Sequence, residues 1–491
     1  MPPKCGEGGY PMKTMTYEMF GAVGDGRADD MPAIVRAHEA ANREGLPVRA
    51  REGAVYYISP RDRTAVIQTS TDWTGARFVI DDVNCENLRG PVFSVTSALP
   101  PIPFPLSSLE AGQTRIDNPT GQDLLLLVYN ARHNDYIRKG LNQDDGSARR
   151  DTLLLRADGS LSSPVSLSFE EITEARALPI DPDRLTLTGG EFTTIANQAE
   201  SRYNYHARNI EIHRSNVTVR GIRHFVTGEL DHGAPYRGFI SILECARVEV
   251  LDCLFTAHKI YWTIGSANLP VMMGSYDINL GSAASVTIVR CSQTTDIMDR
   301  AYWGLIGSNF CRDLTLEDCS FSRFDAHCGV HNCTLRRCTL GHQCLNAIGF
   351  GEFLVEDTKA CGAALVNLRS DYGSTWRGNF TIRRCVWQPL GPARAVFAAH
   401  NDGTHDFGYE CFLPRHVLID GLIVIENDQA APSDPLYIFN DYSGEAGVPW
   451  NERPYRPQPP LSVEARNIST SREIRLCAAR ELMPDAAFIA E

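Results

Sequence analysis

Side chains suited to acid–base chemistry recur between residues 296 and 371. The candidates are four carboxylates and two histidines: Asp296, Asp299, Asp325, Asp371, His327 and His342. Inverting hydrolysis of a glycosidic bond uses one protonated and one ionised carboxyl group, roughly 6.5–9.5 Å apart so that a water molecule fits between them. We predict Asp299 and Asp325 as this acid and base pair, with Asp296 and Asp371 as alternates. His327 and His342 would hold the acid in the required protonation state.

The same segment, with Lys259 upstream of it, carries side chains that can hold a sugar. Guanidinium groups bind hydroxyl and carboxylate oxygens through several N–H donors, and aromatic rings stack on the apolar face of a sugar ring. The predicted substrate-binding residues are Arg323, Arg369, Trp303, Gln343, Asn346, Tyr372, Trp376 and Lys259.

Two other functions fit the same residues. β-Elimination on a uronic-acid polymer needs a base at C5, a proton donor for the glycosidic oxygen and a cation at the substrate carboxylate. Arg323 and Arg369 would supply the cation, and the proton carriers would come from His327, His342, Tyr372 and Lys259. A lyase of this kind would be metal-independent, because no aspartate cluster typical of a calcium site stands out. A non-catalytic carbohydrate-binding protein would need only the binding residues.

Eight segments that share one pattern predict the elements that position these residues. Each has alternating apolar residues, then a polar pair, then a small residue, and the small residues lie at positions 221, 253, 291, 319, 338, 358, 385 and 421. Alternation with a period of two indicates a strand that enters a bend. The shortest steps, 19 and 20 residues, are typical of one coil of a β-solenoid, whose longer steps leave as loops. Neighbouring coils stack about 4.8 Å apart, so carboxylates one or two coils apart can reach the catalytic separation.

The cysteines support stacking. The chain has 15, and ten of them fall between Cys253 and Cys385. Neither the large chain nor the spacing suggests a disulfide framework. Cys328 and Cys333 with His327 and His331 come nearest to a zinc site, but paired ligands at zinc spacing are missing. We therefore interpret Cys253, Cys291, Cys319, Cys338 and Cys385 as small buried residues in an internal ladder.

A motif near the N-terminus connects the repeats to a known fold. Phe20-Gly-Ala-Val-Gly-Asp-Gly26 and Asp29-Asp30 precede a segment with Pro32, an apolar stripe and Gly45, which predicts a helix that caps the solenoid. This opening resembles that of the pectin-lyase-like right-handed parallel β-helix proteins, which include polygalacturonases, pectate lyases and phage tailspike depolymerases. Thr294-Thr295-Asp296, Asp325, Gly341-His342-Gln343 and Arg369 also resemble, in order, the polygalacturonase motifs, with Gln343 in place of a glycine. The resemblance implies a carbohydrate-active groove, with glycoside hydrolysis first and elimination or tailspike-like binding as alternatives.

The predicted fold is all-β: a single-stranded right-handed parallel β-helix with an N-terminal capping helix and a small antiparallel insertion. Residues 1–60 form the cap, and 61–184 form the first coils with the insertion at about 100–180. Residues 185–425 form the core with the active groove, and 426–491 pack at the C-terminal end.

Composition limits the partners. The chain carries 47 Lys and Arg against 60 Asp and Glu, a formal charge of −13. Such a surface repels phosphate backbones and anionic membranes, so we predict a poly- or oligosaccharide partner and neither nucleic acid nor membrane. We predict no cofactor and no metal. The first residues lack an apolar signal segment, which favours a cytoplasmic location, and β-helix proteins often form homotrimers.

Overall fold

The computed structural model describes residues 13–137, 145–202, 205–265, 268, 270–391, 393–399, 410–426, 434–439, 458–478 and 483–491. Over these ranges the chain winds into successive coils, and each coil contributes strands to three parallel sheets. The predicted right-handed parallel β-helix is confirmed.

The first sheet contains the eight repeated segments. Val248 pairs in parallel with Val217 of the preceding coil and with Val286 of the following one, and the remaining segments continue this register. Its separate strands are Met15–Thr16, Val48–Arg49, Thr71–Asp72, Leu185–Thr188, Val217–Arg220, Ala246–Leu251, Ala284–Val289, Arg312–Glu317, Ser462–Ser469 and Ala487–Ala490. Four longer strands pass through it into neighbouring sheets: Ser320–Arg336, Thr339–Glu356, Trp376–Trp387 and His416–Val424.

The other two sheets complete each coil. The second sheet contains Asp25–Asp29, Val55–Ile58, Arg77–Asp81, Glu191–Ile195, Arg223–Thr227, Leu254–Phe255, Ser292–Gln293 and Lys359–Ala360. The third contains Ala65–Ile67, Phe93–Val95, Ile210–Ile212, Ile240–Leu243, Ile278–Gly281, Leu305–Asn309, Val366–Asn367, Ala395–Ala398, Leu436–Phe439 and Ile474–Arg475. Inward-facing aliphatic and aromatic side chains of all three sheets form one continuous core.

The bend between the first and second sheets corrects one detail of the predicted alignment. The five ladder cysteines are buried and free, as predicted. The residue before each takes the left-handed conformation, for example Asp318 with φ 54° and Arg337 with φ 51°. Gly221 and Gly421 occupy this left-handed position themselves, one residue earlier than the cysteines, because glycine adopts positive φ without steric cost.

The predicted cap is an α-helix, Met31–Glu44, that begins after Asp30 and ends at Gly45 with φ 66°. Met31, Ile34 and Ala41 are buried against the first coils. Two short 3-10 helices, Tyr17–Phe20 and Ser370–Tyr372, also occur.

The predicted insertion is a four-stranded antiparallel sheet of Ile102–Pro103, Leu124–Asp135, Ser147–Leu155 and Glu174–Pro179. Leu125, Leu127 and Leu154 pack against Ala246 and Ala284 at the start of the first sheet. Arg312 anchors it through an ion pair with Asp151 at 2.6 Å. The insertion therefore covers the edge between the third and first sheets.

The longest irregular connections in the central coils run from the second sheet to the third. They contain two small antiparallel ladders, His258–Lys259 with Tyr302–Trp303, and Tyr261–Ile264 with Pro270–Met273. These connections stand over the outer face of the third sheet and form the walls of the candidate site. The C-terminal segment 426–491 lies only partly within the described residues, and its strands continue the coils.

Candidate functional site

The outer face of the third sheet carries a column of polar side chains. Asp325, Asn346 and Asn367 pair with one another on three successive coils. Their strand neighbours Phe324 and Leu345 are buried in the core, so the polar residues point outward because side chains alternate along a strand. Asn367 Nδ2 donates to Asn346 Oδ1 at 2.8 Å. The structure thus brings Asp325 and Asn346 together on the outer face of neighbouring coils.

A groove of about 770 Å³ lies at the Asn367 end of this column. Its polar lining consists of Arg300, His342, Gln343, Asn367 and Arg394, and its apolar wall includes Met272. Among the residues that the structure describes, no aspartate or glutamate lines this groove. The site is therefore cationic and amide-rich, although the whole chain is acidic.

His342 is held by the loop that follows Ser292–Gln293. Its backbone N–H donates to the Ile297 carbonyl oxygen at 3.1 Å, and Nε2 lies 3.0 Å from the Tyr302 carbonyl oxygen. The preceding Gly341 permits this approach, since a Cβ there would come within 2.0 Å of the Ile297 oxygen. A carbonyl only accepts hydrogen bonds, so Nε2 carries the proton and Nδ1 carries the lone pair.

Burial lowers the pKa of His342, and the nearby positive charge of Arg300 acts in the same direction. The imidazole is therefore neutral near pH 7. No described residue forms a hydrogen bond with Nδ1. A neutral, fixed imidazole with an available lone pair on a groove wall is suited to accept a proton.

Arg300 and Arg394 face the groove without compensation. Both are exposed, and neither has an ion-pair partner among the described residues. The first sheet shows the contrasting case. There, oppositely charged residues alternate on six successive coils: Glu317, Arg336, Glu356, Arg383, Asp420 and Arg466. The arginines of the first sheet are therefore neutralised by acidic neighbours, whereas those of the groove are available to a ligand.

Asp325 lies beneath the groove in a buried ion cluster. Its Oδ2 accepts a hydrogen bond from Arg323 Nη2 at 2.5 Å and lies 3.5 Å from Arg369 Nη1. Burial alone would raise the pKa of Asp325, but Arg323 and Arg369 outweigh it and hold the pKa below its ordinary value. The carboxylate is therefore ionised at neutral pH and cannot act as a general acid. Its Oδ1 is buried and has no hydrogen-bond partner among the residues that the structure describes.

Aromatic residues pack around this cluster. The Arg323 guanidinium lies 4.8 Å from the Trp303 ring centroid, and the Trp303 ring fills the space that Gly274 leaves open. Arg369 lies 5.1 Å from the ring of Tyr372, which is itself buried. Trp303 and Tyr372 therefore pack against the arginines, and neither ring lines the groove.

Two backbone and side-chain details complete this region. Arg369 has φ 32°, an unfavourable value for a residue with a side chain, and its N–H donates to Asn367 Oδ1 at 3.0 Å. His327 Nδ1 lies 2.7 Å from Asn309 Oδ1, and its ring meets Tyr372 edge-on at 5.3 Å. A strained residue next to the polar column is a feature that clusters at functional sites.

The predicted Asp299–Asp325 pair does not lie on neighbouring rungs. Asp299 and Asp296 are exposed residues of the loop between the second and third sheets. Asp299 Oδ1 accepts from the Ala301 N–H, and Asp296 Oδ1 accepts from the Met298 N–H, each at 2.9 Å. Both are local turns in which an aspartate binds the backbone two residues ahead, because the loop has left the repeat before it reaches them.

Two further predicted residues, Trp376 and Lys259, lie outside the groove. Trp376 is fully buried, and its indole Nε1 donates to the Gly351 carbonyl at 3.0 Å, so it belongs to the core and not to a binding surface. Lys259 Nζ donates to the Glu229 carbonyl oxygen at 3.2 Å. Asp371 lies in the turn Ser370–Tyr372, and its side chain is outside the described residues.

Arg300, Arg394 and Asn367 are the site residues that the sequence-based prediction missed. Asn367 had a signal, because it occupies the same outer strand position as Asp325 and Asn346. Arg300 and Arg394 lie in irregular connections and carry no periodic signal.

Within the described ranges, no group of three or more His, Cys, Asp and Glu side chains is arranged to hold a metal ion. No helix in the same ranges is long and apolar enough to cross a bilayer.

Known proteins resemble this chain in fold and not in sequence. No protein-family model and no curated protein sequence matches this chain. The gp54 tailspike of Acinetobacter baumannii bacteriophage AP22, solved with an A. baumannii capsular saccharide, aligns with TM-score 0.56 and 9% identity over 97% of this chain and 79% of its own. The tailspike gp49 of Pseudomonas phage LKA1 aligns with TM-score 0.46 and 14% identity over 96% and 84%. An endo-xylogalacturonan hydrolase from Aspergillus tubingensis aligns with TM-score 0.41 and 11% identity over 87% and 95%. The alignment with the AP22 tailspike agrees with the fold of the coordinates, a right-handed parallel β-helix, which the N-terminal motif and the repeats predict.

Proposed function

We propose that this chain binds an acidic poly- or oligosaccharide in the groove and cleaves it by β-elimination, with His342 as the base. The observation that carries the proposal is the groove lining. It combines a neutral histidine with two arginines that have no ion-pair partner among the described residues, and no carboxylate of the described residues lines it.

The shape and polar groups of the groove support a saccharide. It is an open cavity of about 770 Å³ on the side of a solenoid, and Gln343 and Asn367 offer amide groups of the kind that bind sugar hydroxyls. The AP22 tailspike, which has the same fold, was solved with a capsular saccharide. Arg300 and Arg394 favour a ligand that carries carboxylates, since unpaired guanidinium groups bind such groups in bidentate fashion.

The chemistry follows from the same residues. A guanidinium of Arg300 or Arg394 neutralises the uronate carboxylate and so acidifies the C5 proton. His342 Nδ1 takes that proton, electrons move into a C4–C5 double bond, and the C4–oxygen bond breaks. The leaving oxygen takes a proton from water in the open groove, and the hydroxide formed takes the proton from His342, which returns the imidazole to its neutral state. The products are a new reducing end and a chain with an unsaturated terminal uronate.

Hydrolysis is the first alternative, and the positions of the carboxylates support it less well than they support elimination. An inverting pair needs one protonated carboxyl group, whereas Asp325 is ionised and buried between two arginines. Asp299 is an exposed loop residue engaged in a local turn. A non-catalytic saccharide-binding protein is the second alternative. The homotrimeric assembly and the cytoplasmic location stay predictions.

A panel of acidic and neutral polysaccharides tests the proposal. Elimination yields new reducing ends together with the ultraviolet absorbance of the unsaturated uronate, and hydrolysis yields reducing ends alone. In a His342→Gln variant the side-chain amide can still donate to the Tyr302 carbonyl but cannot act as a base. We expect its rate to fall by about 10²–10⁴-fold, the usual contribution of a general base.

The matched control is His416→Gln, because His416 is exposed on the first sheet and its side chain forms a hydrogen bond with Ser462, its one such partner in the described part of the chain. It should retain full activity. Reducing ends without absorbance would establish hydrolysis, and binding without either product would establish a non-catalytic protein; each result would contradict the proposal.

A further inference from the structure

A two-stranded hairpin at the rim of the groove exposes an apolar face. Tyr261–Ile264 pairs antiparallel with Pro270–Met273, and Trp262 lies directly opposite Met272. Trp262 is 67% exposed, Met272 50% and Ile264 46%. An exposed tryptophan of this kind is unusual, because burial of its ring contributes more than that of most side chains.

The opposite face of the same hairpin is fixed to the protein. Tyr261, Thr263 and Met273 are buried. The Tyr261 hydroxyl donates to Glu229 Oε1 at 3.2 Å, and the same oxygen lies 3.0 Å from His258 Nδ1. The apolar outer face therefore belongs to an anchored element and is presented to solvent in a defined orientation.

The hairpin also continues the groove. Met272, and Ile260 directly before the first strand of the hairpin, line the same cavity as Arg300 and His342. Trp262 is the exposed cross-strand partner of Met272 and therefore lies next to a residue of the groove wall. A ligand chain that fills the groove and leaves it past Met272 would meet the indole ring next.

We infer that Trp262 is a stacking platform that binds one further sugar ring of the saccharide held in the groove, with Met272 beside it. The occupant is the apolar face of a pyranose ring, because such a face stacks on an aromatic ring. The apolar face of the hairpin, formed by Trp262, Met272 and Ile264, exposes an area on the order of 300 Å², whereas each partner in a stable protein interface buries about 800 Å². A sugar ring therefore matches the area of this face better than a protein subunit does.

This inference rests on the proposed function. Oligosaccharides of two lengths distinguish a failure of the inference from a failure of the proposed function. Binding is measured in the His342→Gln background, so that the ligand is not consumed, with short and long oligomers of the acidic polysaccharide that the wild type binds. Adding Trp262→Ala should weaken binding of the long oligomer by about tenfold, equivalent to about 1.4 kcal/mol, and leave the shortest oligomer unchanged. Long oligomers should also shift the tryptophan fluorescence, and this shift should disappear with Trp262.

Met19→Ala is the control, because Met19 is 61% exposed on the N-terminal cap. It should change neither affinity. Equal effects of Trp262→Ala on both oligomers, or no effect on either, would overturn the platform while leaving the groove proposal intact. Dissociation of a wild-type oligomer by Trp262→Ala in light scattering, without a change in affinity, would identify a subunit contact and would also overturn it. Failure of the wild type to bind any acidic oligomer would instead contradict the proposed function.

Discussion

Asp325 shows how one residue's surroundings decide its role. Its position on an outer strand face could be predicted from the repeats, but its ionisation could not. Arg323 lies two residues away on the same strand, and Arg369 comes from a later coil. Both guanidinium groups depend on side-chain conformations that no sequence pattern specifies. The same carboxylate without them would be a plausible acid; with them it anchors positive charge below the groove.

Replacing Asp325 by Asn tests this structural role. The change leaves two arginines without their shared carboxylate in a buried site, and breaking a buried pair in this way typically costs about 3–5 kcal/mol. We expect a clear drop in the urea midpoint. Asp299→Asn should have little effect on stability or rate, because an asparagine oxygen also accepts from the Ala301 N–H. Loss of all activity in a folded Asp299→Asn variant would favour the hydrolytic pair.

Trp376 illustrates a prediction that strand parity could have improved. It lies four residues before Phe380 on one strand, and both side chains are buried in the core. Residues two or four apart share a face of a strand. Its aromatic character suggested sugar stacking, whereas its position requires packing. Trp262 was missed for the opposite reason, because it lies in a hairpin outside the repeat.

At the scale of elements, the strands were predictable and the connections were not. The eight segments of the first sheet align because alternation and small bend residues recur at the spacing of a coil. The groove is built from connections between the second and third sheets, which differ in length and composition from coil to coil. Arg300, Arg394 and the hairpin at 261–273 therefore had no signal. The fold could be predicted from the sequence, and only the part of the site on regular strands could.

The alternating charges of the first sheet give those strands a means of setting their register. Arg336 lies between Glu317 and Glu356, at 3.6 Å and 3.1 Å respectively. A shift of one coil would place like charges on neighbouring rungs, which is unfavourable across strands. Each exposed pair contributes only about 0.2–1 kcal/mol, but six residues in succession act together.

Reversing the charge of Arg336 tests the ladder. Arg336→Gln removes two attractions, and we expect the free energy of unfolding to fall by about 1 kcal/mol. Arg336→Glu places three acids on successive coils, and repulsion should cost about 1 kcal/mol more. Urea unfolding at low and high salt measures both variants. The difference between Gln and Glu should shrink in high salt, because salt screens exposed charges; a difference independent of salt would point to side-chain packing instead.

Across the whole molecule, the capped solenoid buries histidines that an acidic medium would protonate. His38 of the capping helix is fully buried. Its Nε2 lies 3.1 Å from the Tyr17 hydroxyl, and its Nδ1 has no hydrogen-bond partner within the described ranges. Burial lowers the pKa of His38 to about 3, and burial likewise lowers those of His206 and His331 to about 4. These groups lie in the N-terminal cap and in the central coils, so acid should weaken both regions.

The sign follows from proton binding. An unfolded histidine takes up a proton below about pH 6.5, whereas folded His38 stays neutral until about pH 3. The unfolded state therefore binds more protons in this window, and stability falls as the pH falls, by up to about 1.4 kcal/mol per pH unit for each such group. A His38→Leu variant loses the bond to Tyr17 and should be less stable than the wild type at pH 7. Between pH 7 and pH 5 the free energy of unfolding of the variant should rise by about 2 kcal/mol relative to that of the wild type, because leucine has no proton to take up. The deficit of the variant should therefore shrink or reverse. Urea unfolding at both pH values measures this crossover, and parallel behaviour of the two proteins would show that His38 is already protonated in the folded cap.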